Sequence, residues 1–271
     1  MLYFIPTPIG NLADISLRAL STLKECSVIL CEDTRISKSL ITLLNQRFDA
    51  RINIDKFISV HSHNEAEFVS NLTPSFFDKN VAYLSDAGMP GISDPGAGLV
   101  KYALKNGIEF EVLAGANAAL IALVSSGFCE KEFVFLGFLP NTGTQRKEAL
   151  QNALNQPYPA IIYESPRRIV PLISNIAQID PSREIFAIKE ISKKFQNKFF
   201  GSAQTVLDKL ENANIDGEWC VVLGANELAK NTERISIDDI KSLDIAPKQK
   251  AKLLSKLTGK SVKSVYAELT T

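Results

Sequence analysis

An α/β protein with largely parallel sheets and a small helical appendage is the fold class that this sequence predicts. Short apolar, β-branched runs alternate with longer amphipathic segments through residues 1–224. Glycine-proline turns follow several of the apolar runs, as they do where strands hand over to helices. Residues 236–271 carry only short helical patterns, too few to hold a core of their own.

In chain order, the strands are expected at 2–6, 27–31, 57–60, 81–85, 109–113 and 133–138. Helices are expected between them, near 14–25, 36–46, 64–78, 97–106 and 117–127. In the first helix Leu17, Leu20 and Leu23 recur at helical spacing behind Asp14, a candidate N-cap. The second half adds strands near 160–164, 184–190, 197–200 and 218–224. Boundaries near Gly115 and after Gly224 suggest three parts: an α/β domain over 1–115, a second over 116–228, and a basic helical tail over 229–271.

Composition narrows the function. The chain has 271 residues, 45% hydrophobic and 22% charged, the proportions of an ordinary globular protein. Lysine plus arginine balance aspartate plus glutamate at 30 each, so any polyanion contact must rest on a local patch. No apolar run reaches membrane-spanning length, and "MLYFIPTPIG" lacks a basic leader, so a first strand in a cytoplasmic protein is expected. Cys26, Cys31, Cys129 and Cys220 are scattered, as reduced core thiols would be.

The densest motif is "SDAGMPGISDPGAG" at 85–98, with four glycines, two prolines and two aspartates after a strand and before a helix. That is where open α/β sheets bind ligands. Its spacing matches neither GxGxxG nor GxxxxGK[ST], which implies a ligand held by backbone shape rather than through phosphates. "PTPIGN" at 6–11 and "AGANAA" at 114–119 also follow strands and complete a candidate cleft. "CEDTR" at 31–35 closes the second strand; only one of Glu32 and Asp33 can face a given cleft, and Asp33 or Thr34 can equally cap the next helix. "HSHN" holds the only two histidines, with no further ligands at metal spacing; Asn64 and Glu67 there read as a capping box.

Basic residues gather in three places. "YESPRR" puts Arg167 and Arg168 in the first turn of a helix, against its dipole, which suggests a nearby anion. "KEISKKFQNK" supplies Lys189, Lys193 and Lys194 around Phe195, the pattern of a nucleic-acid-facing loop or of a solvated hairpin. Between Ile245 and Ala267 there is no acidic residue, and Lys248, Lys252 and Lys256 recur every fourth position on one helical stripe. Leu253, Leu254 and Leu257 would face inward, leaving a phosphate-contacting surface outside.

Taken together, "YFIPTPIGNLADISLRAL", "CEDTR", "HSHNE", "SDAGMPGISDPGAGLV", "FLGFLP", "YESPRR" and "AIKEISKKF" resemble the ribosomal RNA small-subunit methyltransferase I family over residues 1 to about 225. The resemblance implies the two-domain tetrapyrrole-methylase (class III) fold, S-adenosylmethionine as cofactor and a homodimer. The implied activity is 2′-O-methylation of a cytidine ribose in 16S rRNA near the decoding centre, on naked rRNA or the assembled small subunit. On this reading Gly88, Met89 and Pro90 cup the cofactor, helped by Pro8 and Gly10 and by Gly115, Asn117 and Ala118. Ala114-Gly115-Ala116 departs from the family's Pro-Gly-Pro. Asp86 is the first candidate for a catalytic base, with Glu32 and Asp94 next, and Arg35 and Arg168 position RNA phosphates. No metal is implied. A small-molecule methylase of the tetrapyrrole type would share the fold without needing the basic tail; a non-catalytic assembly factor would share the tail without needing the cleft.

Overall fold

The computed structural model describes residues 1–128, 131–230 and 236–270, so Cys129 lies outside the described residues. It divides into two compact units, Met1–Asn226 and Glu227–Thr271.

The first unit opens with strands β1 (Leu2–Phe4), β2 (Val28–Cys31), β3 (Lys56–Ser59), β4 (Val81–Leu84) and β5 (Phe110–Val112). Helices α1 (Leu17–Glu25), α2 (Thr34–Phe48), α3 (Glu65–Ser70), α4 (Ala97–Asn106) and α5 (Ala118–Ser126) follow them in alternation. The five strands form one sheet in the order β3-β2-β4-β1-β5, and every pair is parallel. β2 and β4 are buried at every position, which is why they read as unbroken apolar runs. Because the strands are parallel, all five carboxyl ends, and the loops leaving them, gather at one edge.

Four local expectations are corrected. Ser16, not Asp14, caps α1: its hydroxyl accepts from Ala19 N at 3.0 Å, while Asp14 accepts from the Ser192 hydroxyl. Leu17 is 86% exposed, so only Leu23 and Ala19 anchor that helix fully. The expected helix over 64–78 is instead a short α3 and a 3-10 turn at Pro74–Phe77, since proline halts helix propagation. Asn64 makes no cap; its amide oxygen accepts from His61 N and its nitrogen donates to Ser59 O.

The same unit continues through β6 (Val134–Phe138), α6 (Gly143–Leu154), β7 (Ala160–Glu164), α7 (Pro166–Ile179), β8 (Glu184–Lys189), β9 (Asn197–Ser202), α8 (Ala203–Leu210) and β10 (Trp219–Leu223). Their sheet runs β6-β7-β10-β8-β9, and only β6–β7 is parallel. The expectation of largely parallel sheets therefore fails for this half. β8 and β9 form a hairpin, and β10 inserts between β7 and β8, which strand–helix alternation does not reveal. One face of this sheet carries α6, α7 and α8; the other carries Ala119, Ala122 and Leu123 of α5.

The second unit comprises α9 (Glu227–Lys230), α10 (Ile237–Ser242), α11 (Pro247–Thr258) and α12 (Val262–Thr270). Contrary to expectation it has a small core, Ile240, Ala251, Leu254 and Val265. Leu254 joins it, whereas Leu253 and Leu257 are 40% and 51% exposed, because only one stripe of α11 can meet two neighbouring helices.

Candidate functional site

At the carboxyl edge of the parallel sheet, the loop after β4 is pinned before it turns. Gly88 N and O bond to Thr7 O and N at 3.1 and 2.9 Å, and the Ser85 hydroxyl donates to Gly88 O. Gly88 sits at φ +82°, and a Cβ there would lie 3.1 Å from Ile9 Cγ2. Glycine is what lets the backbone itself form a wall at this point. Beyond it lies a cavity of about 360 Å³.

One wall is the 86–94 loop, with Asp86, Gly88, Met89, Ile92 and Asp94; a second is the start of α5, with Asn117 and Ala118. The opposite wall comes from the second sheet: Phe138, Tyr163, Glu164, Ile191, Glu218 and Trp219. Of the residues expected to cup a cofactor, Gly88, Met89, Asn117 and Ala118 line this cavity. Pro8, Gly10, Pro90 and Gly115 do not. Gly115 instead lets two turns approach, since a Cβ there would stand 2.4 Å from Pro6 Cβ. Asn117 caps α5, accepting from Leu120 N at 3.1 Å, so the positive end of that helix dipole faces the cavity.

Among the described residues no lysine or arginine lines the cavity, whereas four carboxylates do: Asp86, Asp94, Glu164 and Glu218. Glu164 is wholly buried and ion-paired to Arg146 at 2.8 Å and Arg168 at 2.6 Å. Glu218 pairs with Lys193 at 2.8 Å. Asp86 accepts from Asp33 N at 3.2 Å, and burial raises its pKa. Burial, reinforced by Asp86, pushes Asp94 up to about 6. Glu32 stands behind them outside the lining; burial, then Asp94 and Asp86, push it up to about 7. Its Oε1 is buried without a hydrogen-bond partner, as are His61 Nδ1 and the Tyr83 hydroxyl. The three acids expected to carry chemistry are thus electrostatically coupled at one sheet edge.

The basic residues separate. Lys189 is buried, and its ammonium donates to the carbonyls of Asn214 and Asp216; it braces a loop and cannot meet an outside anion. Arg168 is spent on Glu164, Ser165 and Asn141, so the buried carboxylate is the anion its position implied. Lys193 is held by Glu190 and Glu218. Arg35 is 89% exposed but paired with Asp33, the α2 cap. Arg167 and Lys194 remain exposed, Lys194 lying 5.5 Å over the Phe195 ring. In the second unit Lys248, Lys252 and Lys256 are all exposed. Lys252 and Lys256 flank a groove with Leu253 and Val262.

The sequence reading missed the far wall. Tyr163 and Glu164 sit inside the "YESPRR" motif, and Phe138 inside "FLGFLP", but nothing local in either says that it faces the distant 86–94 loop. Among the described residues no group of acids, histidines and cysteines is placed to hold a metal. Cys26, Cys31 and Cys220 are buried free thiols, and burial raises each above the ordinary thiol range.

Comparison with known proteins adds lineage. Residues 1–207 match the family of tetrapyrrole (corrin/porphyrin) methylases. The ribosomal RNA small subunit methyltransferase I of Campylobacter fetus subsp. fetus is 55% identical over 100% of both chains. That of Helicobacter pylori (strain ATCC 700392 / 26695) is 43% identical over 98% of this chain and 96% of its own. Among solved structures, uroporphyrin-III C-methyltransferase of Thermus thermophilus complexed with S-adenyl homocysteine superposes with TM-score 0.55 at 16% identity, covering 82% of this chain and 96% of that one. A cobalt precorrin-4 methyltransferase gives TM-score 0.56 at 14% identity, over 85% and 96%.

Proposed function

Because this chain belongs to the ribosomal RNA small subunit methyltransferase I family, within the tetrapyrrole methylases, we propose that it methylates the 2′-hydroxyl of a cytidine ribose in 16S rRNA near the decoding centre, using S-adenosylmethionine. The observation that carries the cofactor reading is the cavity wall: apolar side chains and carboxylates, with no cation among the described residues. Such a wall repels phosphate and suits a sulfonium nucleoside.

S-adenosylmethionine supplies a methyl group made electrophilic by positively charged sulfur. Gly88 and Met89 offer it a backbone wall, and the positive end of α5 at Asn117 and Ala118 suits its carboxylate. Ile9, Ile92, Phe138 and Tyr163 give the cavity an apolar lining, which strengthens charge interactions inside once a ligand covers it. Asp86 is the group we assign to orient the ribose hydroxyl and take up its proton. Glu32 and Asp94, both raised by burial, stand beside it in the coupled acid cluster.

The RNA is assigned to the exposed cations: Arg35, Arg167 and Lys194 in the first unit, and Lys248, Lys252 and Lys256 in the second. The substrate is 16S rRNA or the assembled small subunit in the cytoplasm. We assign the exposed Leu120, Ile121 and Val124 of α5 to a homodimer face. The experiment is incubation with labelled S-adenosylmethionine and small subunits lacking the modification, followed by nucleoside analysis. A labelled 2′-O-methylcytidine supports the reading; absence of label in rRNA overturns it.

A further inference from the structure

The four carboxylates on the cavity wall are not equivalent. Glu164 is offset by Arg146 and Arg168, and Glu218 by Lys193. Asp86 and Asp94 have no cationic partner among the described residues, and neither has Glu32 behind them. The uncompensated charge is therefore confined to one wall. Behind that wall and outside the lining, the Tyr83 side chain is fully buried, its hydroxyl has no hydrogen-bond partner, and it lies in the field of Glu32, Glu65 and Asp94.

We propose that Asp94, with Asp86, makes this cavity selective for ligand charge, holding the sulfonium cofactor in preference to the uncharged thioether that remains after transfer. The inference rests on the function proposed above. In that reaction the sulfur–methyl bond breaks, its electron pair stays on sulfur, an oxygen–methyl bond forms and the hydroxyl proton passes to Asp86. The bound ligand thereby loses one positive charge while the wall keeps Asp94. Apolar packing by Ile9, Ile92 and Phe138 contributes equally to both ligands, so the difference falls on the unpaired carboxylates. Opposite charges a few ångströms apart in a partly desolvated site are worth roughly tenfold or more in affinity. Release of the spent cofactor thus begins with the chemistry itself, without a lid.

The test is calorimetric titration of the full chain at pH 8, where Asp94 is ionised. The probes are S-adenosylmethionine, S-adenosylhomocysteine and an analogue bearing an ammonium group in place of the sulfonium. Wild type is expected to bind both cationic probes about tenfold more tightly than the thioether. Asp94→Asn is expected to weaken the cationic probes by about tenfold and the thioether by less than about twofold, the retained thioether binding proving the fold intact. Asp94→Glu keeps the charge and is expected to keep the preference. Equal binding of all three by wild type overturns the proposal while leaving the cofactor reading standing. Binding of none removes both.

Discussion

Arg146 reaches the wholly buried carboxylate of Glu164, Nη2 to Oε2 at 2.8 Å, on the wall that faces the 86–94 loop. The other carboxylate oxygen takes Ser165 N and Arg168, so the charge is satisfied from both sides. Removing one partner leaves a buried charge half-compensated. Arg146→Ala is expected to cost about 2–4 kcal/mol, read as a lowered urea midpoint. An unchanged midpoint would show that the pair contributes nothing.

Glu32 gives the protein a pH signature. Its ordinary pKa of 4.5 is raised to about 7 by burial and by Asp94 and Asp86, so the folded state binds the proton more tightly than the unfolded one. Stability from this residue is therefore greatest below about 4.5 and falls as pH climbs through 7. With solvent screening allowed for, the loss is on the order of 1–2 kcal/mol. Glu32→Gln is expected to flatten the decline between pH 5 and 8 in denaturation measurements. Parallel curves for variant and wild type would count against the assignment.

Asp86 lines the cavity and is fixed by Asp33 N. Asp86→Asn keeps the shape and removes the proposed proton acceptor. Single-turnover methylation of rRNA is expected to slow by roughly 10²–10⁴ with RNA affinity little changed. A loss under about threefold would leave the hydroxyl to another base.

Lys252 and Lys256 are exposed beside an apolar groove in the second unit. Lys252→Glu and Lys256→Glu are each expected to weaken RNA binding and lower its salt dependence by about one unit of slope, with cofactor affinity unaffected. Salt titrations monitored by fluorescence anisotropy read this directly; identical slopes would remove the tail from the RNA surface.

Much of the scaffold was legible because its strands are short, apolar and punctuated. The ten strands among the described residues overlap the expected apolar runs, and α4 spans the expected 97–106. What escaped was long-range. The insertion of β10 between β7 and β8 depends on pairing across thirty residues or more, which no local period encodes. Lys189 reads as a basic-loop residue until two carbonyls from 214 and 216 are folded over it. Ser16 and Asp14 both have capping chemistry, and Asp14 is drawn off by Ser192, a partner 178 positions away. The acid cluster was named residue by residue, but its shared electrostatics arise only when β2 and β4 are neighbours.

Glu32, Asp86 and Asp94 all rise from the edge of the parallel sheet, while Phe138, Tyr163 and Trp219 belong to the other. Under the proposed function, that separation divides the labour between the two sheets of one chain. On the function proposed above, a change of acceptor would fall on the aromatic wall and leave the acids assigned to the cofactor in place.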